Sequence, residues 1–157
     1  MEFPVEQFKE IETPFYYYDV ELLERTLATV RDEAARYSNF HVHYAIKANY
    51  NPRLLEIIAK AGLGADCVSG GEVAAALAAG VPASKIVFAG VGKTDKEIAL
   101  ALDAGIFCFN AESVPELEAI EILAAERGVV AQVALRINPN VGAHTHSNIT
   151  TGLAENK

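Results

Sequence analysis

The sequence predicts a parallel α/β fold, and three observations carry that prediction. Apolar runs of strand length alternate with alanine- and leucine-rich stretches of helix length through most of the chain. Four helical stretches end in glycine, at positions 62, 80, 105 and 128, where a residue in the left-handed conformation closes a helix. The runs that follow, "LGADCV", "KIVFAG", "IFCFN" and "VVAQVALRI", are apolar on both faces. Strands of that kind pair in parallel and are covered by helices.

Taken in order, "MEFPVEQFKE" has no basic segment followed by an apolar core, so no signal peptide is expected. "FYYYD", Phe15 to Asp19, has the aromatic composition of a short strand. The long helix "VELLERTLATVRDEAARY" comes next, and "HVHYAIKAN" is the first strand of the repeating set. Asn51-Pro52 then supplies an N-cap with proline at the first helical position. Ser69-x-x-Glu72, Thr94-x-x-Glu97 and Ser113-x-x-Glu116 have capping-box spacing, so each opens the helix after its strand. The result is about five strands joined by helices of roughly ten to fifteen residues. Such units close as an open doubly wound sheet or as an eight-stranded barrel of about 250 residues. No G-x-G-x-x-G follows any strand, which weakens the dinucleotide-binding form of the open sheet. Periodicity does not choose between the two.

Composition sets outer bounds. A chain of 157 residues with 51% hydrophobic and 22% charged residues can build one domain with a core. Thirteen Lys+Arg against 21 Asp+Glu give a formal charge of -8, which argues against nucleic acid or an anionic membrane as partner. Cys67 and Cys108 lie in apolar runs and are expected to be reduced core thiols, hence a cytoplasmic location. No apolar run reaches membrane-spanning length.

Candidate chemistry centres on "YAIKAN", Tyr44 to Asn49, where an apolar run delivers Lys47 at the point the chain turns. Such a lysine either extends its ammonium to solvent or serves as a desolvated, reactive amine. His41 and His43 share strand parity with Lys47; His43 either lines the barrel interior or is a satisfied core histidine, and the second reading is preferred. His144 and His146 form H-x-H, but no third ligand is evident nearby, so a metal site is not favoured.

Tyr44-Ala45-x-Lys47-Ala48-Asn49, followed by Leu54-Leu55, Ile58 and Gly62, resembles the pyridoxal-phosphate attachment signature of the ornithine/diaminopimelate/arginine decarboxylase family. "GADCVSGGEVAAALAAGV", "KIVFAGVGKTDKEIALALDAGI" and "FNAESVPELEAI" are similar to the family's next units. "VALRINPNVGAHTHSNITTGLAENK" resembles its diaminopimelate branch in particular. The likeness runs from Thr13 to Lys157 and chooses the barrel. It implies the first part of a (β/α)8 TIM barrel of the alanine-racemase-like, pyridoxal-phosphate-binding type. Residues 1–157 would be the amino-terminal part of that barrel domain, with residues 1–20 packing against a β-domain outside the chain.

The resemblance also implies roles. Lys47 is the catalytic amine, forming an imine with the aldehyde of pyridoxal 5′-phosphate. Asp66 and Arg136 join it as cofactor-binding residues, and His144 and His146 belong to a substrate loop. Bland readings stand beside these: an amide-binding strand-end aspartate at 66, an ion pair inside the barrel at Arg136, and a helix cap at Glu72. The reaction implied is decarboxylation of meso-diaminopimelate to L-lysine, with ornithine, arginine or carboxynorspermidine decarboxylation as the alternative. A non-catalytic fragment or binding partner is the alternative of another class. The family's phosphate cradle lies beyond Lys157, so this chain alone is expected to be inactive. Its partners would be a small amino-acid substrate, the remainder of the same polypeptide, and a second copy in a homodimer.

Overall fold

The computed structural model describes residues 3–139, and over that span the long helices start where the sequence put them, while the short helix at 5–8 was not expected. A short α1 (Val5–Phe8) and a long α2 (Val20–Ala34) come first. Five strands follow: β1 (His43–Ala45), β2 (Gly64–Cys67), β3 (Ile86–Phe88), β4 (Cys108–Ala111) and β5 (Val133–Leu135). Between them lie α3 (Pro52–Lys60), α4 (Gly70–Ala78), α5 (Asp95–Ala104) and α6 (Val114–Glu126). Asn51 caps α3 by accepting from the Arg53 amide, with Pro52 at the first helical position. Gly62, Gly80, Gly105 and Gly128 all have positive φ, as helix-ending residues should.

All neighbouring strands pair in parallel, in the order β1-β2-β3-β4-β5. Each new strand is added to the same edge. A doubly wound sheet reverses its strand order at a switch point, and no reversal occurs here. The five strands form an arc with helices on one side, the progression of a parallel barrel rather than of a doubly wound sheet.

Register defines the two faces of the arc. Cys67, Phe88 and Phe109 are aligned partners and face the helices, as do Ala65 and Ile86; each is 2% exposed or less. Val73 and Ala76 of α4, Ile98 and Ala101 of α5, and Ile120 of α6 close over them. Burying one large apolar side chain of this kind contributes about 1.5–3 kcal/mol. The opposite, inner face carries Ala45, Asp66, Val87 and Cys108 along one register line, and Asn110 beside Ala134 along another. On β5 the helix-facing row of Val133, Leu135 and Ile137 is exposed, with no covering element among the described residues.

Three expectations need correction. Phe15 to Asp19 form no strand: Asp19 is the N-cap of α2, accepting from the Leu22 amide at 2.8 Å. The aromatics there pack on α1, Phe8 lying 5.3 Å from Phe15 and 5.1 Å from Tyr17 between centroids. Lys47 is not on β1 but in a 3-10 turn, Ile46–Ala48, so its supposed shared face with His41 and His43 is lost. His43 starts β1 at the opposite end of the strand with its ring stacked near Phe107, and it is not a satisfied core histidine: it is half-buried and its Nδ1 has no hydrogen-bond partner among the described residues.

Only Thr94 and Glu97 close a reciprocal capping box. Ser69 and Ser113 do cap α4 and α6, but Glu72 and Glu116 reach one residue further back, to the amides of Val68 (2.7 Å) and Glu112 (2.9 Å). The cause is the N-cap backbone, near φ -153° at both serines against -84° at Thr94. That rotation swings the preceding amide into the glutamate's reach. Glu97 also crosses between units, its second oxygen accepting from the Gly70 amide at 2.8 Å. A Cβ at Gly70 would come 2.7 Å from the Glu97 Cγ. Amide bonds from Thr94 and Gly70 hold the Glu97 carboxyl below its usual range.

Candidate functional site

Strand ends of one polarity gather at the carboxyl-terminal face of the arc, the place where barrel enzymes assemble their sites. Lys47 arrives there on a braced turn. Ile46 is fully buried and pins the turn to the core. The Tyr44 hydroxyl donates to the Asn49 carbonyl at 3.1 Å, and the Asn49 amide donates to the Tyr18 hydroxyl at 2.9 Å. Asn49 also accepts from the Asn51 amide at 3.0 Å. Burial pushes the Tyr44 phenol above its ordinary range, so it remains a donor. The residues around Lys47 are thus tied down, whereas Lys47 itself is exposed and makes no ion pair among the described residues.

The contrast with Lys93 is instructive. Its side chain is fully buried, although its backbone keeps some exposure. Its ammonium donates to Glu116 Oε1 at 2.6 Å, the Gly90 carbonyl at 2.9 Å and the Asn110 carbonyl at 3.0 Å. All three N–H bonds are taken, so this amine is structural. An aldehyde-bearing cofactor needs an accessible amine, and Lys47 fits that need while Lys93 does not.

Asp66, half-buried on the inner face of β2, is the register partner of Ala45. Lys47 and Asp66 therefore come from adjacent strands. Glu72, one unit along the chain, caps α4 through the Val68 amide. Cys67 faces away from the site into the helices. Burial first, then the charges of Glu72 and Asp66, push its thiol up to about 12, so it is inert at neutral pH. Burial also raises Cys108.

Arg136 continues the β5 ladder, its amide donating to the Ala111 carbonyl at 2.9 Å. It shares parity with Ala134 on the inner face. Its Nη1 contacts both oxygens of Glu112 at 3.3 Å; the arginine side chain is 39% exposed and that of Glu112 only 7%. The two residues help line a cleft of about 390 Å³ with Ala89, Asn110 and Ala134. Arg136 lies three strands across the sheet from Asp66, roughly 14 Å at about 4.8 Å per strand, and four residues further along its own strand, so the two are not neighbours. His144 and His146 lie outside the described residues. Among the described residues no group of three or more His, Cys, Asp and Glu is placed to hold a metal ion.

Sequence reasoning passed over Glu112, Gly90 and Lys93. Glu112 directly follows a strand, a position that marks the rim of a barrel, and that signal was available. Lys93 in "GVGKTD" carried no signal, because two of its three partners, Asn110 and Glu116, lie 17 and 23 residues away.

Five parallel strands added to one edge, with an exposed lysine in the turn after the first, define the class: part of a parallel α/β barrel. Residues 21–157 match the pyridoxal-dependent decarboxylase family, pyridoxal binding domain, and the chain belongs to that family. It is 63% identical over 155 residues to the diaminopimelate decarboxylase of Bacteroides thetaiotaomicron, an alignment covering 99% of this chain and 40% of that protein. A crystal structure of diaminopimelate decarboxylase from Helicobacter pylori complexed with L-lysine superposes with a TM-score of 0.87 at 43% identity, over 97% of this chain and 38% of that one. The Paramecium bursaria Chlorella virus arginine decarboxylase gives a TM-score of 0.62 at 26% identity, over 73% and 30%. The chain thus spans about two fifths of the length of the curated relative it matches. No helix among the described residues is long and apolar enough to cross a membrane.

Proposed function

We propose that the complete protein uses Lys47 and bound pyridoxal phosphate to decarboxylate meso-diaminopimelate to L-lysine. One observation carries this reading. Lys47 is an uncommitted amine at the carboxyl end of β1, on a turn whose other residues are fixed. When bound, pyridoxal phosphate supplies the sink for the electron pair left as carbon dioxide departs. Around it, the protein's own side chains do the positioning. Lys47 Nζ is the covalent anchor and the proton carrier. Asp66, on the adjacent strand, would present a carboxylate toward the cofactor from the inner face. Arg136 orients an anionic group on the far side of the opening, and His144 and His146 contact substrate.

Similarity to diaminopimelate decarboxylases well above that to the viral arginine decarboxylase supports this substrate over ornithine, arginine or carboxynorspermidine. On this reading the chain is the amino-terminal part of the barrel domain, and residues 1–20 pack against a β-domain. The protein works as a cytoplasmic homodimer with no nucleic-acid or membrane partner. The test is carbon dioxide release by the complete protein from meso-diaminopimelate, ornithine and arginine in turn. Release from meso-diaminopimelate alone is expected. Equal or greater release from either other substrate would overturn the assignment. Lys47→Ala should abolish both turnover and borohydride trapping of the cofactor; trapping on another lysine would remove Lys47 from its role.

A further inference from the structure

Gly90, at the end of β3, is held on both sides of its residue. Its amide donates to Glu112 Oε1 at 3.0 Å, and its carbonyl accepts from the Lys93 ammonium at 2.9 Å. Lys93 in turn binds Glu116 Oε1, and Glu116 Oε2 accepts from the backbone amide of Glu112 at 2.9 Å. The contacts form a closed ring: Gly90, Glu112, Glu116, Lys93 and back to Gly90. It fixes Glu112 at both its main chain and its carboxylate, and that carboxylate is almost wholly buried. Arg136 is the one member of this group with substantial exposure, and it engages Glu112 through Nη1 alone. Its other side-chain N–H donors meet no acceptor among the described residues and are open to a ligand.

We infer that Glu112 is a positioning residue that presets the Arg136 guanidinium on the inner face of the barrel. A fixed carboxylate holding one edge of a guanidinium leaves its other donors in a set direction, which lowers the ordering cost when an anionic group binds. The inference rests on the proposed function for the identity of that anionic group, the cofactor or the substrate carboxylate. It rests on the ring alone for the placement of Arg136.

Charge and placement make opposite predictions, which allows a clean test. Lys93, Glu116, Glu112 and Arg136 together carry two positive and two negative charges. Glu112→Gln keeps an oxygen acceptor for the Gly90 amide but leaves one positive charge unbalanced. If Glu112 acted only by charge, an anionic ligand would then bind more tightly. If it acts by placing Arg136, binding weakens, by about tenfold for the loss of one charge-assisted hydrogen bond.

The experiment uses the complete protein stripped of cofactor and titrated with pyridoxal phosphate, for wild type, Glu112→Gln, Arg136→Gln and the double variant, with a crystal structure of the Glu112→Gln apoprotein. The expected result is an affinity loss of about tenfold in Glu112→Gln and no further loss when it is added to Arg136→Gln. The crystal structure should show the guanidinium displaced while the Gly90 loop keeps its place. Tighter binding, unchanged binding, additive losses, or an Arg136 that stays in position would each overturn the inference. A wild-type protein that binds no pyridoxal phosphate would instead sink the functional reading, leaving the position of Arg136 in the variant structure to decide this one.

Discussion

Replacing Lys93 by methionine should be among the most damaging single changes on the carboxyl-terminal rim. Methionine keeps an unbranched apolar stem of similar reach, so packing on Phe88, whose ring lies 5.4 Å from the ammonium, is largely preserved. What disappears is the charge and three hydrogen bonds, to Glu116, Gly90 and Asn110. Removing one partner of a buried ion pair costs about 3–5 kcal/mol, because the other charge stays behind unpaired. Glu116 is 10% exposed and keeps the Glu112 amide as a donor, which places the loss at the lower end, about 3 kcal/mol. Against total stabilities of about 5–15 kcal/mol, that is a large fraction. Urea unfolding of the complete protein measures it. Adding Glu116→Gln to Lys93→Met removes the stranded charge and should recover about 1 kcal/mol or more, a coupling that a double-mutant cycle reads directly. A loss below about 1 kcal/mol for Lys93→Met would refute the argument, since it would mean that water or another cation satisfies Glu116.

Gly90→Ala should destabilise by about 1–3 kcal/mol, seen as a lower melting temperature. Residue 90 has φ +102°, and a Cβ there would sit 3.0 Å from the Val68 carbonyl oxygen. Cys67 should resist iodoacetamide at pH 8 in the native protein and react on unfolding, and rapid native labelling would contradict its burial. Its raised pKa also fixes a sign: the native thiol stays neutral up to about 12 while the unfolded one ionises near 9, so its contribution is complete below pH 9 and is lost as pH rises toward 12. Cys67→Ala should remove that alkaline slope from a stability-against-pH curve.

Local signals in the sequence were reliable wherever one residue's chemistry decided the outcome. The Asn51-Pro52 start, the serine and threonine caps and the four glycine ends each act within a few residues, and each appears in the fold. The misreadings arose where two local rules competed. Phe15 to Tyr18 have strand-like composition, but Asp19 claims the chain for a helix cap and the rings find partners on α1. Lys47 was assigned a face by counting in twos, and a single 3-10 turn broke the count. A candidate amine was legible at Lys47 because its surroundings form a contiguous signature. The ring around Gly90 was not, since its contacts join residues up to 23 apart and leave no periodic trace.

The Glu97 carboxylate, shared between its own helix start and the Gly70 amide of the preceding unit, bears on how such a barrel can diversify. A residue inserted between β2 and α4 would pull the Gly70 amide off its acceptor and leave the α4 start short of that partner. The same holds at Gly90, whose acceptor lies at the end of the next strand. Loops tied forward in this way cannot lengthen one at a time without loosening their neighbours. This stretch of rim should therefore tolerate insertion less well than loops that carry no such tie.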